Sequence, residues 1–348
     1  MEHYARSEAA RYYTHRGPCA VELGTRLGGV PVANGTAGLM IALAALAGKR
    51  RLVAMPSFTC AAVACAVRWA GLEPLWIDIE SEGWQLDPAA LAAALDARGE
   101  DVAAVVATLT FGAAPSAAIA TGWRQACAAH GTPLIVDAAA ALGAVPADGA
   151  PALDAIGAMT LFSLGVTKPG GAAEGAVLVT RDHELADRLR SLASFGMDGD
   201  NVVAGPPGLN GRLSELNAAA ALAALDGLEA SLSRRRSVAA ALLDALAGVP
   251  LTLAAGAPTS TFPALHVALA DHGARERARG AAAELGVETR THWDPPLHQH
   301  PAFAQHPAAG SLAVTEELAP RCLALPVLED LRPEEVALVA RAFAPVTA

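Results

Sequence analysis

Leu134-Ile135-Val136-Asp137 is the stretch on which the reading of the fold turns. Three aliphatic residues in a row read as a strand buried on both faces, and such runs occur where helices cover a parallel sheet on either side. The aspartate that follows stands at the C-terminal edge of such a sheet, where open α/β folds bind their ligands. Outward from it, residues 102–108 form a second run of this kind, and 51–55, 74–79, 159–162 and 176–180 are further strand candidates. Helix-like segments lie between them: 38–48 after the Asn34-Gly35-Thr36 turn, 61–70 closed by Gly71, and 87–96 with Pro88 in its first turn. After Asp182 a helix is expected to about residue 194, then a loop over 196–211 rich in Gly, Pro and Asn, then one long helix over 213–246. This alternation predicts an α/β fold with a mainly parallel central sheet. The remainder, short strands alternating with helices, is expected to form a small α/β lid. The expected division is a large domain 1–235 and a C-terminal domain 236–348.

A chain of 348 residues can bury one large core and a smaller appended one. Hydrophobic residues at 53% against 17% charged exclude a disordered chain and imply extensive burial. The net charge of -10 leaves no basic stripe for phosphate neutralisation, so nucleic acid is not an expected partner. Residues 1–17 are polar and lack the apolar core of a signal peptide. The longest apolar stretch, 32–48, is broken by Asn34, Gly35 and Thr36, too short and interrupted for a membrane span. Cys19, Cys60, Cys65, Cys127 and Cys322 contain no C-x-x-C pair, so neither a disulfide framework nor a zinc site is expected and a cytoplasmic location fits.

Three features could carry chemistry. Asp137 delivers a carboxylate to the sheet edge, although an acid at a strand end is often only a helix cap. Lys168 lies in Phe162-Ser163-Leu164-Gly165-Val166-Thr167-Lys168-Pro169-Gly170-Gly171, a Gly-rich connection between two buried strands. It reads either as a solvated turn lysine or as an amine nucleophile that forms an imine. Asn34-Gly35-Thr36-Ala37, opening a helix, offers free backbone N–H groups to an anion, or is a plain cap. No Walker A and no G-x-G-x-x-G at the first strand point to a nucleotide cofactor.

In this order the features resemble the DegT/DnrJ/EryC1/StrS aminotransferases, pyridoxal-phosphate enzymes of fold type I best known as sugar aminotransferases. The resemblance runs through Asn34-Gly35-Thr36-Ala37, Pro56-Ser57-Phe58-Thr59-Cys60, Asp137-Ala138-Ala139-Ala140, and Ser163 with Lys168. It continues in Ala173-Glu174-Gly175-Ala176, Gly208-Leu209-Asn210-Gly211-Arg212, Pro296-Leu297-His298 and Leu323-Ala324-Leu325-Pro326, and so spans nearly the whole chain.

By resemblance, Lys168 holds the aldehyde of pyridoxal 5'-phosphate as a Schiff base and later acts as general base. Asp137 pairs with the pyridine nitrogen, and Gly35, Thr36 and Ala37 with Ser163 receive the phosphate. Small Ala138 and Ala139 let the ring lie flat. Asn210 reaches the phosphate of a neighbouring subunit, which implies a homodimer with shared sites. Arg212 and His298 are the expected substrate contacts. The implied reaction moves an amino group from an amino acid, glutamate or glutamine, to a ketone, by family default a keto-sugar, with antibiotic biosynthesis as the setting. A dehydratase or lyase on the same fold is the alternative, disfavoured because members of that kind carry His in place of the lysine. A non-catalytic relative is a third reading, disfavoured because degraded sites lose the lysine first. No metal is implied.

Departures fall around the cofactor ring. Cys60 stands where the family usually has a stacking aromatic residue, and Ala140 replaces a Gln or His near the cofactor's 3-hydroxyl. Gly165 replaces a larger residue, Ala176 a Gly, and residues 108–112 lack a common His. These changes predict a pocket stripped of polar and aromatic groups, with an unusual acceptor or an altered reaction. Cys60 as a catalytic thiol is a minor alternative to simple packing. His292, Trp293, His298 and His300 cluster in the lid without metal-ligand spacing and read as loop residues, His298 excepted.

Overall fold

The structure, a computed structural model, describes residues 2–46, 48–146, 149–198, 200–203 and 205–347. Seven strands form the main sheet: β1 Gly29–Val32, β2 Leu52–Pro56, β3 Glu73–Ile77, β4 Val102–Thr108, β5 Leu134–Asp137, β6 Met159–Ser163 and β7 Ala176–Val179, in the order β1-β7-β6-β5-β4-β2-β3. The five strands from β3 to β6 run parallel, while β7 is antiparallel to both β6 and β1. The continuous apolar runs have a direct cause. Leu52 and Ala54 of β2 enter one core and Val53 and Met55 the other, so both faces of the strand lie under helices. Residues 307–309 pair with Trp76 along β3 and cover that edge.

Several expected bounds shift, for local reasons. The helix expected over 38–48 begins at Gly35, because the Asn34 side chain caps it by accepting the Ala37 N–H at 2.8 Å. The single helix expected over 213–246 is two, Glu215–Asp226 and Leu228–Ala245. The chain leaves helical geometry at Gly227 (φ -101°, ψ 2°), a glycine whose low helix propensity permits the break. Glu215, fully buried, accepts from the Cys19 and Ala20 amides and from Ser7 Oγ, pinning the N-terminal segment to the first of these helices.

A second, antiparallel sheet has the order β10-β9-β8, from β8 Leu251–Thr252, β9 Leu265–Leu269 and β10 Cys322–Leu325. Its core reaches from Val238 and Leu242 to Phe343, and the helix Leu228–Ala245 runs through the division expected at 235/236. The two units meet through Phe58, Ile79, Trp84 and Phe111 against Ala268, Leu318, Ala319 and Cys322. Asp78 adds a polar tie, accepting the Val314 and Thr315 amides and the Thr315 hydroxyl. Among the described residues no helix is long and apolar enough to cross a membrane.

Candidate active site

Parallel strands bring Asp137 and Ser163 to adjacent strand ends, with Asp137 opposite Leu161 in register. Gly35 lies against them: a β-carbon built on it would sit 3.7 Å from Ser163 Oγ. The N–H groups of Gly35 and Thr36 have no acceptor among the described residues, whereas the Ala37 N–H is taken by Asn34. Ser163 Oγ accepts the Gly165 N–H at 3.3 Å. The result is an anion cradle of two free amides and a hydroxyl at a helix N-terminus.

Lys168 follows β6 on a loop that closes on itself. Leu164 N–H donates to Gly175, Val166 N–H to Ala173 and Lys168 N–H to Gly165. The turn returns through Gly171 because only a residue without a side chain fits there. A β-carbon on Gly171 would meet Gly165 O at 2.0 Å and Lys168 O at 2.7 Å. Gly171→Ala is therefore expected to push Lys168 out of place and slow its imine formation with added pyridoxal phosphate about 10²-fold in stopped-flow absorbance. An unchanged rate would refute this account of the turn.

Asp137 is buried, and burial raises its pKa to about 6, against the opposing pull of the Ala139 N–H and of Lys168. Its Oδ1 accepts that N–H at 3.1 Å, and its Oδ2 has no partner among the described residues. A half-open buried carboxylate, a cradle for a phosphate and a half-buried lysine amine are the donor set pyridoxal phosphate requires, and the residues fit it.

The other expected residues are placed as follows. Cys60 is exposed and opens the helix Ala61–Trp69 without a side-chain cap bond. Ala139 is half-buried, as is Ala140, whose carbonyl accepts from Thr261 Oγ1 at 2.5 Å. Asn210 and Arg212 are joined, with Oδ1 accepting from Nε and Nη2, and the guanidinium lies 5.1 Å from the Phe195 ring centre. His298 is fastened at both ring nitrogens. Its Nδ1 is 2.7 Å from Ser57 Oγ and its Nε2 3.1 Å from Glu316 Oε1, and its own N–H donates to Ser57 Oγ.

Aromatic and imidazole rings gather beyond the end of β4. Phe111 stands over the end of β4, with Phe58 and Trp84 edge-on to it and Trp293 stacked at 4.7 Å. His266 and His292 join this group, and both feel the Lys168 ammonium. His266 escaped the sequence reading because it is hidden in an apolar strand. A lone polar residue inside Leu265-His266-Val267-Ala268-Leu269 was the available signal.

A mainly parallel sheet with an antiparallel β7, and a lysine loop between β6 and β7, is the frame of a pyridoxal-phosphate-dependent aminotransferase of fold type I. The chain belongs to the DegT/DnrJ/EryC1/StrS aminotransferase family, whose model matches residues 23–344. It is 32% identical, over 98% of its length and 85% of the relative's, to a Mycobacterium tuberculosis protein whose name states no activity. It is 31% identical, over 90% of its length and 82% of the relative's, to the UDP-N-acetyl-3-dehydro-alpha-D-glucosamine 3-aminotransferase of Acidithiobacillus ferrooxidans. Among solved structures, DesI in the presence of its TDP-sugar product superposes with a TM-score of 0.89 at 33% identity, covering 99% of this chain and 89% of that one.

Proposed function

We propose that this aminotransferase carries an amino group from glutamate or glutamine to a ketone on a nucleotide-linked sugar, working in the cytoplasm as a homodimer with shared sites. The observation that carries the reading is the meeting of Asp137, the Gly35–Thr36 amides and Lys168 at one sheet edge. The nucleotide-sugar names of the relatives supply the substrate class. Natural-product biosynthesis is the proposed setting. Exposed Phe195, Val202 and Val203 beside Asn210 give the loop an apolar face suited to a second copy.

Bound pyridoxal phosphate supplies an aldehyde that condenses with amines and a ring that takes up an electron pair. Asp137 would face the ring nitrogen of the bound cofactor and, in its ionised form, would hold a proton there. The Gly35 and Thr36 amides and Ser163 Oγ anchor the phosphate. Lys168 Nζ would hold the cofactor's aldehyde at rest and, when free, would serve as the base that takes a proton from the substrate's α-carbon.

The reading is tested by supplying L-glutamate with UDP-N-acetyl-3-dehydro-α-D-glucosamine or a dTDP-linked keto-sugar and measuring 2-oxoglutarate. Sustained production is expected with at least one of these sugars. Uptake of the amino group from glutamate with no transfer to any of them would sink the keto-sugar assignment.

A further inference from the structure

His266 is buried and lies flat on Phe111, with ring centres 3.5 Å apart and planes 5° from parallel. Phe111 is held at φ 53° and boxed by Phe58, Trp84 and Trp293, so neither ring can turn without breaking close packing. His266 Nε2 lies 3.2 Å from His292 Nδ1. Burial lowers the pKa of both imidazoles, and the Lys168 ammonium pushes the same way, with Arg290 adding to the effect on His292. Between two neutral rings one nitrogen donates and the other accepts, so fixing one tautomer fixes its neighbour's. The buried Nδ1 of His266 makes no hydrogen bond. The contact between the two rings therefore sets the tautomer of His292, and with it whether His292 Nε2 carries a proton or a lone pair. That atom has no partner among the described residues.

We propose that His266 is a positioning residue: clamped on Phe111, it fixes the tautomer and orientation of His292, whose Nε2 then makes a hydrogen bond to a hydroxyl group of the ketone substrate beside Lys168. The substrate half of this inference rests on the hydroxylated ketone proposed above. The tautomer half stands without it. A ketone lacking such a hydroxyl would leave that nitrogen unmet, so the pair selects sugars over simple keto acids.

Two measurements on the cofactor-loaded enzyme decide it. Nitrogen NMR of histidine-labelled protein should show His292 in one neutral tautomer near neutral pH. His266→Phe, which keeps the stack, should give a mixture, and His266→Gln should restore the single form. A mixture in the unsubstituted enzyme, or no change in His266→Phe, overturns the proposal. In kinetics with L-glutamate and UDP-N-acetyl-3-dehydro-α-D-glucosamine, His266→Phe should raise KM for the sugar about tenfold with kcat nearly unchanged and glutamate uptake unaffected, and His266→Gln should recover most of it. An equal loss in both half-reactions makes His266 merely structural and overturns the proposal. If His266→Phe does not fold, His292→Ala should show the same KM defect, with no further defect on adding His266→Gln; additive defects overturn it. If the unsubstituted enzyme transfers nothing to this sugar, the keto-sugar reading fails, while the nitrogen spectra still decide the tautomer.

Discussion

Lys168→Ala lowers turnover by at least about 10⁴-fold while leaving the fold intact. The size follows from two proposed roles lost on one atom: the amine that would hold the cofactor, and the base that would move the proton, alone worth about 10² to 10⁴-fold. The fold survives because the side chain makes no hydrogen bond or ion pair among the described residues. The turn rests on backbone bonds, Lys168 N–H to Gly165 O and Gly171 N–H to Lys168 O, both 2.8 Å, which alanine retains. Oxo-acid production and the melting curve of the cofactor-free protein check the two halves. Residual turnover within tenfold of the parent would remove Lys168 from both roles.

Asp137→Asn moves activity and stability in opposite directions. Turnover falls about 10² to 10³-fold, since the amide cannot hold a proton on the ring nitrogen electrostatically. The cofactor-free protein becomes more stable. In the folded chain Asp137 ionises near 6 rather than at the ordinary 3.8, because burial penalises its charge. The unfolded chain therefore loses this proton first. The cost to the native state builds as pH rises from about 4 to about 6, reaches about 3 kcal/mol, and stays constant above. Asparagine carries no such cost. Its melting temperature should exceed that of the parent by roughly 5 °C at neutral pH, and the gap should close below about pH 4. A gap that widens on acidification reverses the sign and refutes the assignment of burial as the cause. With cofactor bound, the ring nitrogen offsets the cost and the gap should shrink.

Much of this molecule could be read from the order of its residues. β2, β4 and β5 announce themselves as aliphatic runs because both sheet faces are covered. β1 does not, since Gly29-Val30-Pro31-Val32 is short and carries two residues that strands disfavour, and its partner β7 is found only in space. The break at Gly227 was invisible because the alanine-rich pattern runs on through it. Asp137 and Ser163 close their strands and Lys168 lies on the loop that leaves β6, so the sheet itself carries these three expected site residues toward one edge. His266 was not legible in this way, for its partner Phe111 comes from the other unit and the contact depends on docking. The same holds for the subtraction expected at Cys60 and Ala140. Sequence shows what left those positions, and only packing shows the aromatic rings and imidazoles that stand near Lys168.

The bond between Ser57 and His298 also bears on how this enzyme can diversify. Ser57 belongs to the segment after β2, His298 to the distant 297–299 turn, and Glu316 to a third element. This turn, expected to border the substrate, is thus not an independent cassette. A specificity loop transplanted from a relative arrives with its own histidine but finds the anchoring hydroxyl and carboxylate only if they travel with it. Selection at this rim acts on three separated stretches at once, so new substrates are reached more readily by changing the unanchored residues between them.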